Sequence, residues 1–387
     1  MTRSDQHTSQ THDGRSRNDD LVLVLNSGSS SLKFGVYRRK DNDEEAVVTG
    51  SAEGIGHSNG SLRILSASGS AAVAREHVLE SQDEALTQIA KTLRSDLEGE
   101  PIAVGHRIVH GGPKVVSHQL ITPKFLETLK SATHFAPLHI PQSLSLIRTA
   151  QSLFPTAMQF ACLDDVFHRT MPEVAYHLPL PQRYLEAGVR RYGFHGLSYE
   201  SLVHHLGDEL PDRAIFAHLG SGSSVCALKD RVSIDTTMGL TPAGGVPMGT
   251  RCGDLDPGVL IHLLRTENIG ADELEQLVNK DSGLFALSNG ESSVKDLEAR
   301  AKLNDSHAKL ALDIYVTAIR KTIGSYAALL GGVDLLVFTG GIGEHSAYVR
   351  DRVTESLEFL DLQADKIMVI PTQEELQIAR HCRNLIG

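Results

Sequence analysis

Residues 21–37 read LVLVLNSGSSSLKFGVY, and this stretch decides the fold. Five consecutive apolar residues, Leu21–Leu25, run into the polar turn Asn26-Ser27-Gly28-Ser29-Ser30-Ser31, and Lys33–Tyr37 follows, which predicts strand, tight turn, strand. The design recurs at 214–228, AIFAHLGSGSSVCAL, with Ala214–Leu219 apolar, Gly220–Ser224 turning and Val225–Leu228 apolar again. Aligning Gly28-Ser29-Ser30 with Gly222-Ser223-Ser224 superposes the two hairpins at a spacing of 194 residues. Solenoid repeats recur every ~20–50 residues, so a period near half the chain implies two related domains. Two hydroxyl-rich turns facing one cleft could grip one anion between them, although Ser/Gly turns are common and either alone carries little weight.

Outward from these hairpins, strand and helix patterns alternate. Ser81–Leu97 has a helical period with Gly99 behind it, Ala103–Gly112 reads as a strand entering a turn, Leu144–Leu153 as a helix and Met158–Leu163 as a short strand. Later, His307–Leu330 is a long helix stopped by Gly331-Gly332, followed by a strand at Asp334–Phe338, a glycine-rich turn and a helix from about Tyr348. This alternation is an α/β architecture.

The 387 residues exceed one ordinary core, and 41% hydrophobic with 22% charged residues is globular usage. A net charge of −11 argues against a nucleic-acid or anionic-membrane partner, since both need a basic face. No run of 18 apolar residues spans a bilayer, and residues 1–20 lack the apolar core of a signal peptide, so a polar tail and a cytoplasmic location are expected. Cys162, Cys226, Cys252 and Cys382 form no CxxC and read as reduced, mostly buried thiols.

Gly-Lys never occurs, which excludes a Walker-type phosphate loop. Gly56-His57-Ser58-Asn59-Gly60 fits GxSxG but lacks the hydrophobic strand and helix a nucleophile elbow requires. Gly341-Ile342-Gly343 after a strand suits either a close approach to a nucleotide or a plain strand-to-helix turn. Two segments differ in kind: 190–196 (RRYGFHG) and 241–257 (TPAGGVPMGTRCGDLDP) join glycines, histidine and arginines without an amphipathic period. They bury little apolar area and are expected to be site loops.

Six motifs in order, NSGSSSLKF (26–34), GHRIVHGG (105–112), RYGFHG (191–196), MGTRCGDLDP (248–257), FTGGIGEH (338–345) and PTQEEL (371–376), make the chain resemble the acetate kinase family between Leu21 and about Arg380. The resemblance implies two duplicated ribonuclease-H-like domains of the actin-like ATPase kind with an interdomain cleft. The first would hold residues 21–165 plus about 373–387, and the second, carrying the nucleotide and the dimer contact, residues 166–372. It implies in-line transfer of the ATP γ-phosphoryl to acetate or another short carboxylate, giving an acyl phosphate and ADP, in a homodimer.

Such a transfer sets an anionic acceptor against spreading phosphoryl charge, so fixed cations are needed. By motif position these are Arg107 and Arg251, rigid forks able to clamp a carboxylate and a phosphoryl, with His195 donating to the same oxygens. Asp164 matches the catalytic aspartate; an ionised carboxylate acceptor needs no base, so Asp164 is expected to orient arginine or magnesium. Asn26 and Glu374 match the magnesium positions, where manganese could substitute. Ser29, Ser31 and Lys33 face phosphate from the first hairpin. His218, Leu219, Gly220, Ser221 and Gly222 resemble the phosphate stretch of the nucleotide domain, Gly341, Ile342, Gly343, Glu344 and His345 the adenosine loop, and Ser293, Val294 and Lys295 stand at a further nucleotide contact. Val109, Leu138, Phe194 and Pro242 would line the alkyl pocket.

The sequence departs from the family at Ser221 and Ile140, each in place of Asn, at Leu197 and Tyr199, in place of Thr and His, and at Ala243 and Gly244, which are small. Ser293-Val294-Lys295 replaces an Asp-x-Arg nucleotide contact. These departures keep two alternatives open: a propionate or butyrate kinase of the same family, and a nucleotide-binding regulator without activity.

Overall fold

A computed structural model describes residues 20–28, 30–66, 71–76, 78–97 and 99–387. Ser29 and residues 1–19 of the expected tail lie outside them. Among the described residues the first sheet contains β1 (Leu21–Ser27), β2 (Leu32–Lys40), β3 (Asp43–Glu53), β4 (Ser61–Ser66), β5 (Ala71–Glu76), β6 (Ala103–Ile108), β7 (Gln119–Leu120) and β8 (Met158–Leu163). Their order is β5-β4-β3-β2-β1-β6-β8-β7. The second sheet contains β9 (Arg213–Leu219), β10 (Ser223–Lys229), β11 (Val232–Thr236), β12 (Leu335–Thr339) and β13 (Ile367–Val369), in the order β11-β10-β9-β12-β13.

The two sheets share one plan. In each, a central strand pairs antiparallel into a meander on one side (β1-β2-β3, β9-β10-β11) and continues parallel on the other (β1-β6-β8, β9-β12-β13). The ladders correct the expected alignment of the repeat. Ser27 pairs with Leu32 at the end of the first hairpin and Leu219 with Ser223 at the end of the second, so Gly28 corresponds to Gly220, not Gly222. Ser223 and Ser224 are buried strand residues, and the second turn is one residue shorter than the first.

Leu21–Leu25 is apolar without alternation because both faces of β1 are covered. Leu21, Leu23 and Leu25 pack with Leu86 and Ile89 of the helix Gln82–Asp96, while Val22 and Val24 pack with Ile378 and Cys382 of the helix Glu374–Ile386. The second central strand repeats this: Ile215, Ala217 and Leu219 meet Leu312 and Tyr315 of the helix Ser306–Leu330, and Ala214 and Phe216 meet Tyr199 and Leu202 of the helix Gly196–Leu206. The carboxy-terminal helix therefore returns to the first sheet, carrying Glu374 to the end of β1.

Helix starts follow capping chemistry. Ser81 accepts from the Glu84 amide, Asp305 from the His307 and Ala308 amides, and Gly331 closes the long helix at φ 72°. The helix Ile140–Leu153 begins four residues earlier than the apolar period predicts, because Pro141 suits a first turn. Gly340–His345, expected as a loop, is a short helix that starts directly behind β12.

Candidate active site

The carboxy-terminal ends of β1, β6 and β8 meet at one point. Arg107, near the end of β6, donates from Nε to Asp164 Oδ2 at 2.9 Å and bonds the same oxygen from Nη2. Its Nη1 reaches Asn26 Oδ1 at 3.2 Å. Asn26 in turn donates to Glu374 Oε2 at 2.9 Å and Glu375 Oε1 at 2.7 Å across almost the whole chain length. Burial pushes the Asp164 carboxyl up to about 6 against the pull of Arg107. For Arg107, burial opposes the charge, but Asp164 and Glu374 outweigh it and raise its pKa. Burial likewise works to raise Glu374, yet Arg107, His218 and Lys33 hold it below its usual value. Asp164 thus fixes the direction of the Arg107 fork.

From the other side come the two loops singled out in the sequence. His195 sits at φ 60° before the helix Gly196–Leu206, and its ring stacks on His218 with centroids 4.1 Å apart. Gly222 marks where the pieces converge: a Cβ there would stand 3.2 Å from His195 Nε2 and 3.3 Å from Arg251 Nη1. Arg251 donates to the Pro242 carbonyl at 3.3 Å, and its loop packs on Gly283, which has φ +62° and whose Cβ would lie 2.1 Å from the Met248 carbonyl. Asp254 pins the same loop by accepting from the Gly245 amide at 2.7 Å.

Like charges face one another here. Burial and the Arg107 charge pull the Arg251 guanidinium below its ordinary value. Burial lowers His195 well below the usual imidazole range, with His218, Arg107 and Arg251 adding to it. His139, which sequence reasoning did not place in the site, feels both arginines and is lowered to about 4, mainly by burial. An anion in this cleft would relieve that repulsion.

The profile of the Acetokinase family matches residues 21–380. The chain is 39% identical to an acetate kinase of Clostridium botulinum over 94% of its own length and 99% of that protein, and 40% identical to an acetate kinase of Coprothermobacter proteolyticus over 94% and 98%. The chain belongs to the acetokinase family. Among solved structures, the acetate kinase of Porphyromonas gingivalis superposes with a TM-score of 0.82 at 34% identity, covering 95% of this chain and all of that one. A propionate kinase of Francisella tularensis gives 0.86 at 33%, with 95% and 100% covered. The duplicated actin-like ATPase fold expected from the sequence is thus the fold of this acetokinase.

In the region expected to hold the nucleotide, the turn Gly220–Gly222 meets the helix Gly340–His345: a Cβ on Gly340 would stand 2.7 Å from the Leu219 carbonyl and 3.1 Å from His218 Nε2. Lys33 is exposed and lies within the field of Glu374 and His218. Two of the expected contacts have side chains engaged elsewhere. Val294 is 4% exposed and packs with Leu297 and Ala301 in the core of the second sheet's lobe, so its side chain is spent on packing. Glu344 Oε1 accepts from the Gly340 amide at 3.0 Å and the Thr372 amide at 3.1 Å, a strut between two backbone segments. Ser293 caps its helix on the Asp296 amide, Lys295, Gly341 and His345 are exposed, and Ile342 leans on the core.

In the region expected to hold the alkyl group, Phe194 is buried with Met238 and Met248, Val109 packs against them and Pro242 holds Arg251 through its carbonyl. Leu138 is 44% exposed next to His139. Asn26, expected at the metal position, gives its oxygen to Arg107 and its amide nitrogen to Glu374 and Glu375, whose carboxylates bring to the end of β1 hard oxygens of the kind that suits magnesium.

His118, Glu200 and His381 form a second group with ligand atoms within 4.8 Å of one another. The Leu163 amide donates to His118 Nδ1 at 3.0 Å, which leaves the ring proton on Nε2, the atom facing Glu200 and the one a metal would need bare. Glu200 also meets His381 Nε2 at 2.6 Å, so this group braces the carboxy-terminal helix.

Proposed function

We propose that this chain is an acetate kinase, transferring the γ-phosphoryl of ATP reversibly to acetate to give acetyl phosphate and ADP. The observation that carries the reading is the meeting of Arg251 and His195 at Gly222, both within the field of Arg107, between the ends of the two duplicated hairpins. An acetate anion and a polyphosphate repel; two fixed guanidinium groups in a cleft of low dielectric offset that repulsion and follow the charge as it spreads over the transferring group. Arg107, locked by Asp164, and Arg251, anchored at Pro242, clamp these oxygens, and His195 donates from Nε2. The carboxylate attacks ionised, so no base acts on it.

The nucleotide lies along Gly220–Gly222 and the start of the helix Gly340–His345, with Lys33 toward the phosphates. Magnesium, held through Glu374 and Glu375, would neutralise phosphate charge when bound. We take residues 21–165 with about 373–387 as one lobe and 166–372 as the other, and cleft closure excludes water from the reacting phosphoryl. Val109, Leu138, Phe194 and Pro242 limit the acyl chain. No described helix is long and apolar enough to cross a membrane, and we place the enzyme in the cytoplasm. We also infer a homodimer through the second lobe: the helix Pro257–Thr266 buries none of its residues, and Leu255 before it and Val259, Ile261 and Leu264 on it are 40–47% exposed, apolar surface a second copy would cover.

Hydroxylamine trapping of acyl phosphate from acetate, propionate and butyrate, with ATP and magnesium, tests the reading. Product is expected with acetate, and kcat/KM should change by about 10- to 200-fold per added methylene. A higher kcat/KM with propionate would favour the activity named for the Francisella relative. No product with any acid would leave the regulator.

A further inference from the structure

The reaction needs His195 to present a hydrogen, not a lone pair, to an anion. A neutral imidazole carries one proton on either nitrogen, and its other contact decides which. Burial keeps His195 neutral, so its tautomer matters. Its Nε2 faces Gly222 and Arg251, while its Nδ1 lies 2.9 Å from the Ser224 hydroxyl. Ser224, on β10, is fully buried, and its oxygen is also 2.5 Å from the hydroxyl of Tyr199, equally buried in the first turn of the helix Gly196–Leu206.

Counting hydrogens gives the chain a direction. Among the described residues the Tyr199 hydroxyl has the Ser224 oxygen as its hydrogen-bond partner, and burial keeps the phenol protonated. The phenol hydrogen then has Ser224 as its partner. Tyr199 fills one lone pair of Ser224, and His195 Nδ1 is the other partner the structure gives that hydroxyl. An Nδ1–H ring would fill its second lone pair and leave the buried serine hydrogen without an acceptor, so the serine donates to a bare Nδ1 and the imidazole hydrogen stays on Nε2. The reverse order would leave the Tyr199 hydrogen buried without an acceptor and turn a lone pair toward the phosphoryl oxygens.

We propose that Tyr199 is a positioning residue which, through Ser224, locks His195 in the tautomer that donates from Nε2 into the cleft. This rests on the phosphoryl-transfer reading above. Tyr199→Phe removes one hydroxyl and keeps the ring that packs on Phe216. In the full-length enzyme kcat should fall about 10- to 100-fold, the usual cost of losing such an outer partner, with KM for ATP and acetate nearly unchanged. Ser224→Ala should cost as much, and Tyr199→Phe/Ser224→Ala together should cost no more than Ser224→Ala alone, because the residues form one chain. Nitrogen-15 shifts of the His195 ring should report mainly the Nε2–H form in the wild type and a mixture in either variant, with circular dichroism confirming that each is folded. Additive losses, an unchanged kcat in Tyr199→Phe, or an Nδ1–H ring in the wild type would overturn the proposal. A folded wild type that makes no acyl phosphate would instead refute the underlying reading, with the tautomer still measurable.

Discussion

Asp164→Asn exposes how much of the site depends on a single oxygen. Asp164 Oδ2 receives two hydrogen bonds from Arg107, and the carboxylate is 1% exposed against 16% for the guanidinium. The amide keeps the shape but removes the charge, leaving a buried cation with one full partner lost. Breaking a buried pair from one side costs about 3–5 kcal/mol. Arg107 retains the Asn26 oxygen at 3.2 Å and the fields of Glu374 and Glu375, so the low end, about 3 kcal/mol, is expected in urea unfolding. Arg107 also loses its fixed direction, and misplacing one preorganised donor lowers kcat about 100- to 1,000-fold. Asp165→Asn is the control, since Asp165 is equally buried but pairs with Arg169 at 3.0 Å, away from the cleft. It should cost similar stability and far less kcat. Acyl phosphate trapping measures the rate; an Asp164→Asn enzyme within about twofold of wild-type kcat, or an Asp165→Asn enzyme equally slowed, refutes the reasoning.

Three further outcomes follow from the geometry. Gly222→Ala places a methyl 3.2 Å from His195 Nε2 and 3.3 Å from Arg251 Nη1, so kcat should fall about tenfold or more while urea stability changes by less than about 1 kcal/mol. Glu200→Gln should lower stability at pH 7 by about 2 kcal/mol, as lost charged hydrogen bonds do. Burial works to raise Glu200, but His118 and His381 lower it from 4.5 to about 2; its contribution is therefore complete above pH 4.5 and lost as pH falls toward 2, and variant and wild type should converge in that window. Ile261→Glu puts charge on the exposed apolar surface of the helix Pro257–Thr266, and light scattering should find the variant monomeric and, if the proposed dimer forms, the wild type twice that mass.

Much of this molecule was readable from local chemistry. Leu21–Leu25 and Ala214–Leu219 announced the central strands because helices cover both of their faces, and Ser81 and Gly331 marked helix ends through capping. The repeat was legible but its register was not, since Gly and Ser recur in both turns while only the ladder fixes Gly28 against Gly220. The strands β3–β5 gave little signal, as Asp43–Glu53 is largely half-exposed and lacks a strong apolar alternation. At the candidate site, motif positions singled out Arg107, His195 and Arg251, whereas their partnerships needed coordinates. Asn26 meets Glu374 and Glu375 from opposite ends of the chain, Val294 faces a core instead of the cleft, and Tyr199 reaches His195 only through a serine on another strand.

Both guanidinium groups are held to act on one developing charge, and a double-variant cycle on kcat/KM for acetyl phosphate formation asks that question most directly. Arg107→Ala and Arg251→Ala should each cost at least about 100-fold, and the double variant should lose clearly less than the product of the two, because neither arginine stabilises a charge the other has already failed to gather. Independent, fully multiplicative losses would mean that the two act at separate places, and the shared cleft would have to be abandoned.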